Sequence, residues 1–193
     1  MILCSIKIIF HTPFCRIFPD GTVFLLAIRG ELYYNKEKRK DSIMTEYKLL
    51  NEQLYALIHG VPHRIANLAN ASALLYQTLP DLNWAGFYLL ENGILVLGPF
   101  QGRTACIEIP VGKGVCGTAV AENRTQLVKN VHEFPGHIAC DSASNSEIVV
   151  PIRKNGEVIG VLDIDSPVLA RFDERDRDGL EEFVRVLENE LYR

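Results

Sequence analysis

The sequence predicts an α+β domain in which an antiparallel sheet is flanked by helices at the two ends of the chain. Two observations carry this. Apolar residues recur at helical spacing early in the chain and again at its end. Between them, Asn92-Gly93 and Asn155-Gly156 each separate two apolar runs. Asn-Gly in that setting is the strongest short-range sign of a β-hairpin, because both turn residues tolerate positive φ. Helices outside hairpin-connected strands imply helices packed on one face of an antiparallel sheet.

Residues 1–43 do not resemble the rest. They carry seven Lys or Arg and four Asp or Glu, a charge of +3 that leaves −7 for residues 44–193. The opening run Met1-Ile2-Leu3-Cys4-Ser5-Ile6-Lys7 places its basic residue inside the apolar stretch, a poor match to a secretory signal. Asp20 and Glu31 argue against a mitochondrial presequence. The expectation is that residues 1–43 are a translated leader or a disordered arm, with Met44 as the true start and one domain over residues 44–193.

From Thr45 the elements follow in order. Leu50, Leu54, Leu57 and Ile58 form one helical stripe, broken by Gly60 and Pro62. Ile65, Leu68, Ala69, Ser72, Leu75 and Leu79 form a second, ending before Pro80. Trp84-Ala85-Gly86-Phe87-Tyr88-Leu89-Leu90 and Ile94-Leu95-Val96-Leu97 are the first hairpin, and residues 105–109 a third strand. Gly112-Lys113-Gly114-Val115-Cys116 is a Gly-rich turn leading into a short helix, and Gln126-Leu127-Val128 a short strand. Residues 147–153 and 158–163 make the second hairpin. Asp173 is the N-cap of a terminal helix whose stripe is Leu180, Phe183, Val184, Leu187 and Leu191.

Composition excludes several classes. With 193 residues, 48% apolar and 23% charged, the chain is a soluble globular protein of one domain. A net charge of −4 gives no footprint for nucleic acid or an anionic membrane. No run approaches the ~20 apolar residues that span a bilayer. The five cysteines form no disulfide framework, and no Cys-x-x-Cys pair offers a metal knuckle, so no metal ligands are assigned. A reducing cytoplasm fits, where paired cysteines are more often catalytic than structural.

Cys106 lies in Thr104-Ala105-Cys106-Ile107-Glu108-Ile109. Strand alternation places Ala105, Ile107 and Ile109 on the buried face and Cys106 on the polar one. Cys140 lies in a stretch of small residues that reads as exposed loop, flanked by His132 and His137, neither assignable as a base. Two thiols on polar positions suggest redox work, against the alternative of incidental surface cysteines. Cys116 sits where a helix begins, which favours thiolate, but packing explains it as well. Asp163 and Asp165 are two apart on one strand, and Glu147 opens the partner strand. Three carboxylates on one face need a cation, a proton or a ligand amine, unless they are a solvated strand end. Trp84 and Tyr88 share a strand face, as core or as the walls of a small pocket. Gly112-x-Gly114 is too short for a phosphate loop.

Ile109-Pro110-Val111-Gly112-Lys113-Gly114-Val115-Cys116-Gly117-Thr118-Ala119, with Pro151-Ile152 and Gly160-Val161-Leu162-Asp163-Ile164-Asp165-Ser166, resembles a GAF domain. Asn83-Trp84-Ala85-Gly86-Phe87-Tyr88, Gly98-Pro99-Phe100-Gln101-Gly102 and the set Cys106, Cys116 and Cys140 narrow the resemblance to the free methionine-R-sulfoxide reductases. It covers residues 44–191. A GAF fold alone would say little about function. The resemblance implies that Cys140 attacks the sulfoxide and becomes a sulfenic acid, that Cys106 resolves it as a disulfide, and that thioredoxin regenerates the thiols. It makes Cys116 secondary. It implies no bound cofactor, a homodimer, and free L-methionine-R-sulfoxide as substrate. Trp84 and Tyr88 would line the methyl-side pocket. Glu147, Asp163 and Asp165 would hold the substrate amine, with Glu147 or Asp165 supplying the proton. The rival reading is a ligand- or redox-sensing GAF module, which has no need for paired polar-face thiols.

Overall fold

Local sequence decides where the strands turn. In the computed structural model, which describes residues 15–17, 23–25, 39–136 and 142–191 with side chains from residue 46 onward, both Asn-Gly pairs close hairpins. Asn92 (φ 51°) and Gly93 (φ 83°) join one pair of strands, Asn155 (φ 54°) and Gly156 (φ 85°) another. Positive φ at both central residues matches the twist of the flanking strands.

The chain divides into two units, Met1–Glu37 and Lys38–Arg193. In the first, β1 (Cys15–Ile17) and β2 (Val23–Leu25) pair antiparallel. The rest of the expected leader lies outside the described residues, except that residues 39–43 belong to the first helix of the second unit.

That unit begins with α1 (Arg39–Ile58) and α2 (Arg64–Thr78). Next come β3 (Trp84–Glu91), β4 (Ile94–Gly102), β5 (Glu108–Pro110), α3 (Gly114–Glu122) and β6 (Gln126–Val128). β7 (Ser146–Lys154), β8 (Glu157–Ser166) and α4 (Glu174–Leu191) complete it. The six strands lie in the order β5-β4-β3-β8-β7-β6, every neighbour antiparallel.

Alternation gives the sheet two apolar faces. On one, Ala85, Phe87, Ile148, Val150, Leu162 and Ile164 pack against Leu50 and Leu54 of α1, Leu68 and Leu75 of α2, and Leu180 and Phe183 of α4. Each such leucine, fully removed from water, contributes roughly 2 kcal/mol. The other face carries Trp84, Tyr88, Val149 and Val161 beneath Val115, Cys116 and Ala119 of α3. The long helices therefore share one face as expected, and short α3 covers the opposite one. Ile65 departs from the expected α2 stripe. It is 61% exposed, and the buried side runs through Asn67, Leu68, Ala71, Ser72 and Leu75.

Asp173 caps α4 as expected, accepting the Arg175 N–H at 2.8 Å. Asp176 returns the bond, accepting the Asp173 N–H at 2.8 Å, a reciprocal capping box. Between β3 and β4 the register slips by one residue, so Gly86 faces Phe100 while Tyr88 faces Leu97. The bulge falls at Gly98-Pro99, where a proline without an N–H is tolerated. It moves Phe100 onto the face that carries Trp84 and Tyr88.

Candidate active site

The sheet face beneath α3 gathers the predicted residues of β3, β7 and β8. Trp84 pairs with Asp165, Gly86 with Asp163, and Tyr88 with Val161. Across β8, Glu147 pairs with Asp165 and Val149 with Asp163. All three carboxylates thus share the face of Trp84 and Tyr88, as alternation requires.

The aromatic wall has three rings. Trp84 stacks on Phe100 (centroids 5.2 Å apart, planes at 14°) and on Tyr88 (5.9 Å, 25°). Gly86 makes this possible: a Cβ there would overlap Cβ of Phe100 and lie 2.7 Å from Cη2 of Trp84. The Trp84 indole N–H donates to the Arg103 carbonyl at 3.1 Å, and the Tyr88 hydroxyl donates to the Cys106 carbonyl at 3.0 Å. Phe100 was missed from sequence. The signal available was the Gly-Pro bulge two residues before it, which resets the alternation of β4.

On the same sheet face, ligand atoms of Cys116, Glu147 and Asp163 lie within 4.8 Å of one another, all buried. Burial, then the negative charges of Asp163 and Asp165, push the Glu147 carboxyl well above the usual range, which favours its neutral form. Burial raises Asp163 to about 6, against contacts with Cys116 and Glu147 that lower it. Cys116 is the third residue of α3, yet burial followed by the charges of Asp163 and Glu147 drives its thiol upward, outweighing the helix end. Tyr88 is pushed up by burial first and Asp163 second, and stays a neutral donor. Oδ1 of Asp163 is buried with no hydrogen-bond partner. An acceptor left so costs about 1–3 kcal/mol unless a ligand donor reaches it. Asp165 is half-buried at the rim.

The cysteines correct the strand argument. The third strand starts only at Glu108, so Ala105, Cys106 and Ile107 are loop and do not alternate. Ile107 is 72% exposed, and Cys106 is half-buried against the cluster under α3. Cys106 is disulfide-bonded, whereas Cys116 is free. Cys140 and His137 lie outside the described residues. The segment after them is tied down: the Asn83 amide donates to the Ser144 hydroxyl at 2.9 Å, and the Asn145 N–H to the Ser166 carbonyl at 2.8 Å. His132 bonds Asn145 at 2.9 Å.

A GAF-domain profile matches residues 66–189. Free methionine-R-sulfoxide reductase of Escherichia coli is 59% identical over 145 residues, 75% of this chain and 88% of that protein. This chain belongs to the free methionine-R-sulfoxide reductase family. Its fold agrees with the reduced form of fRMsr of Staphylococcus aureus (58% identity, TM-score 0.73, covering 75% of this chain and 94% of that one). It agrees equally with the free methionine-R-sulfoxide reductase of Neisseria meningitidis in complex with its substrate (42% identity, TM-score 0.74, covering 83% and 94%). By membership of this reductase family the chain is an oxidoreductase with a GAF fold.

Proposed function

We propose that the protein reduces free L-methionine-R-sulfoxide to L-methionine with its own cysteines, needing no bound cofactor. The observation that carries this is the buried acid pair, Glu147 and Asp163, on the sheet face of the Trp84–Phe100–Tyr88 wall in a member of a reductase family. The rings take the S-methyl end of the substrate. The unsatisfied Oδ1 of Asp163 takes the ammonium group, with Asp165 at the rim. A methionine sulfoxide whose nitrogen is acylated in a peptide bond has no such ammonium and is refused.

The thiolate of Cys140 attacks the sulfoxide sulfur while neutral Glu147 protonates the oxygen, which would otherwise be a poor leaving group. The oxygen then passes to the Cys140 sulfur as the substrate's S–O bond and the newly formed S–S bond break, so methionine leaves with the sulfur's electron pair and Cys140 carries the hydroxyl as a sulfenic acid. Cys106 displaces that oxygen as water and closes a disulfide. A thioredoxin dithiol then reduces the disulfide by exchange, itself becoming oxidised. Disulfide-bonded Cys106 supports this part of the reading, as does the half-buried position that Tyr88 holds it in. Buried, protonated Cys116 is a supporting residue of the acid pair. The homodimer is taken from the family resemblance, and the cytoplasmic site from the cysteine usage of the sequence. Among the described residues, no helix is long and apolar enough to cross a membrane.

The test is a reductase assay on free R, free S and peptide-bound methionine sulfoxide with thioredoxin as reductant. Activity on the free R form alone is expected. Equal activity on all three, or on none, overturns the proposal.

A further inference from the structure

We propose that Cys116, Glu147 and Asp163 also form a site for a borderline-soft divalent cation, Zn2+ above all, whose occupancy excludes an ammonium group from Asp163. That last clause rests on the substrate reading above; the metal site itself does not.

The three groups come from three separate elements, α3, β7 and β8, each held by its own backbone bonds. Glu147 and Asp163 stand diagonally across the β7–β8 ladder, where Glu147 pairs with Asp165 and Val149 with Asp163. The α3 turn that presents Cys116 is pinned by the Gly112 N–H to the Gly117 carbonyl at 2.8 Å and by the Gly117 N–H to the Lys113 carbonyl at 3.0 Å. One sulfur and two carboxylate oxygens already lie within 4.8 Å of one another. Around tetrahedral zinc, with Zn–S about 2.3 Å and Zn–O about 2.0–2.2 Å, such atoms sit roughly 3.5 Å apart.

A second, independent feature points the same way. Asp163 is 6% exposed, and its Oδ1 has no hydrogen-bond partner. An amine would satisfy that oxygen but makes no use of the thiol. A borderline-soft cation uses both, and two carboxylates with a thiolate leave one negative charge around it. The thiolate also discriminates against magnesium and calcium, which prefer all-oxygen shells.

The test uses full-length protein in which the other four cysteines are replaced by serine, so that only Cys116 can supply sulfur. Cobalt(II), a coloured stand-in for zinc, is titrated in. The expected result is about one cobalt per chain with a thiolate-to-cobalt charge-transfer band, bleached by added zinc. The band disappears on Cys116→Ser, and cobalt binds at least about tenfold more weakly on Asp163→Asn or Glu147→Gln, with thermal melts confirming that each variant is folded. A missing band, or an affinity indifferent to both carboxylate variants, overturns the metal site. Free methionine sulfoxide should weaken cobalt binding, and its N-acetyl derivative should not. If cobalt binds as described but neither compound competes, the metal site stands and the assignment of these acids to the substrate amine fails.

Discussion

The Tyr88 hydroxyl donates to the backbone carbonyl of Cys106 across 3.0 Å, joining a ring of the aromatic wall to the loop before β5 by one bond. Tyr88 is fixed on both sides, opposite Leu97 of β4 and Val161 of β8, whereas Cys106 lies in the loop before β5. The hydrogen-bonded strand therefore helps to position Cys106 in its loop.

Tyr88→Phe keeps the ring and removes the donor. A lost hydrogen bond of ~1 kcal/mol corresponds to about a fivefold effect. The expected loss is in thioredoxin-driven turnover, with the methionine yield of the first turnover retained. Equal losses in both would show that Tyr88 acts on the substrate alone.

Gly86→Ala inserts a methyl group where Phe100 and Trp84 meet. Overpacking of this kind costs ~1–3 kcal/mol of stability, and splaying the two rings should raise KM for the sulfoxide more than it lowers kcat. Steady-state kinetics with a parallel thermal melt would check both, and an unchanged KM would remove the ring stack from the binding pocket.

Local rules were legible in the sequence where the chemistry is local. Asn92-Gly93 and Asn155-Gly156 closed their hairpins because positive φ is a property of the turn residues themselves. Asp163, Asp165 and Glu147 share a face because β7 and β8 are long, paired strands. The same alternation failed at Cys106 and Ile107 because a strand must be hydrogen-bonded to alternate, and β5 begins only at Glu108. Phe100 was hidden by the bulge that reverses the faces of β4. Alternation also gave face without depth: Asp163 is buried and Asp165 half-buried, a difference made by the layer above them.

Stability should depend on pH through the acid pair. Folding raises the Asp163 pKa from an ordinary 3.8 to about 6, so the folded state prefers the neutral acid. Stability is therefore full below the ordinary value and falls as pH rises through about 6, by ~1–3 kcal/mol. Asp163→Asn, uncharged throughout, should melt higher than the unmodified protein at about pH 8 and close to it at about pH 4. Melting curves that run parallel across that range would contradict a buried, proton-holding pair.

Asp173→Ala removes the cap of α4 and leaves the site untouched. The expected cost is ~1 kcal/mol, or roughly 2–4 °C in Tm, at unchanged kcat/KM. A loss of activity without a loss of stability would mean that α4 communicates with the pocket.

The central claim is that Cys140 and Cys106 together carry the oxidising equivalent away from the substrate. The direct measurement mixes fully reduced protein with excess free L-methionine-R-sulfoxide in the absence of thioredoxin, then counts methionine and thiols and maps the disulfide by mass spectrometry. About one methionine per chain, loss of two thiols and a Cys106–Cys140 peptide pair are expected, with Cys116 still free. Methionine formed with Cys106 still reduced, or none formed at all, would contradict it.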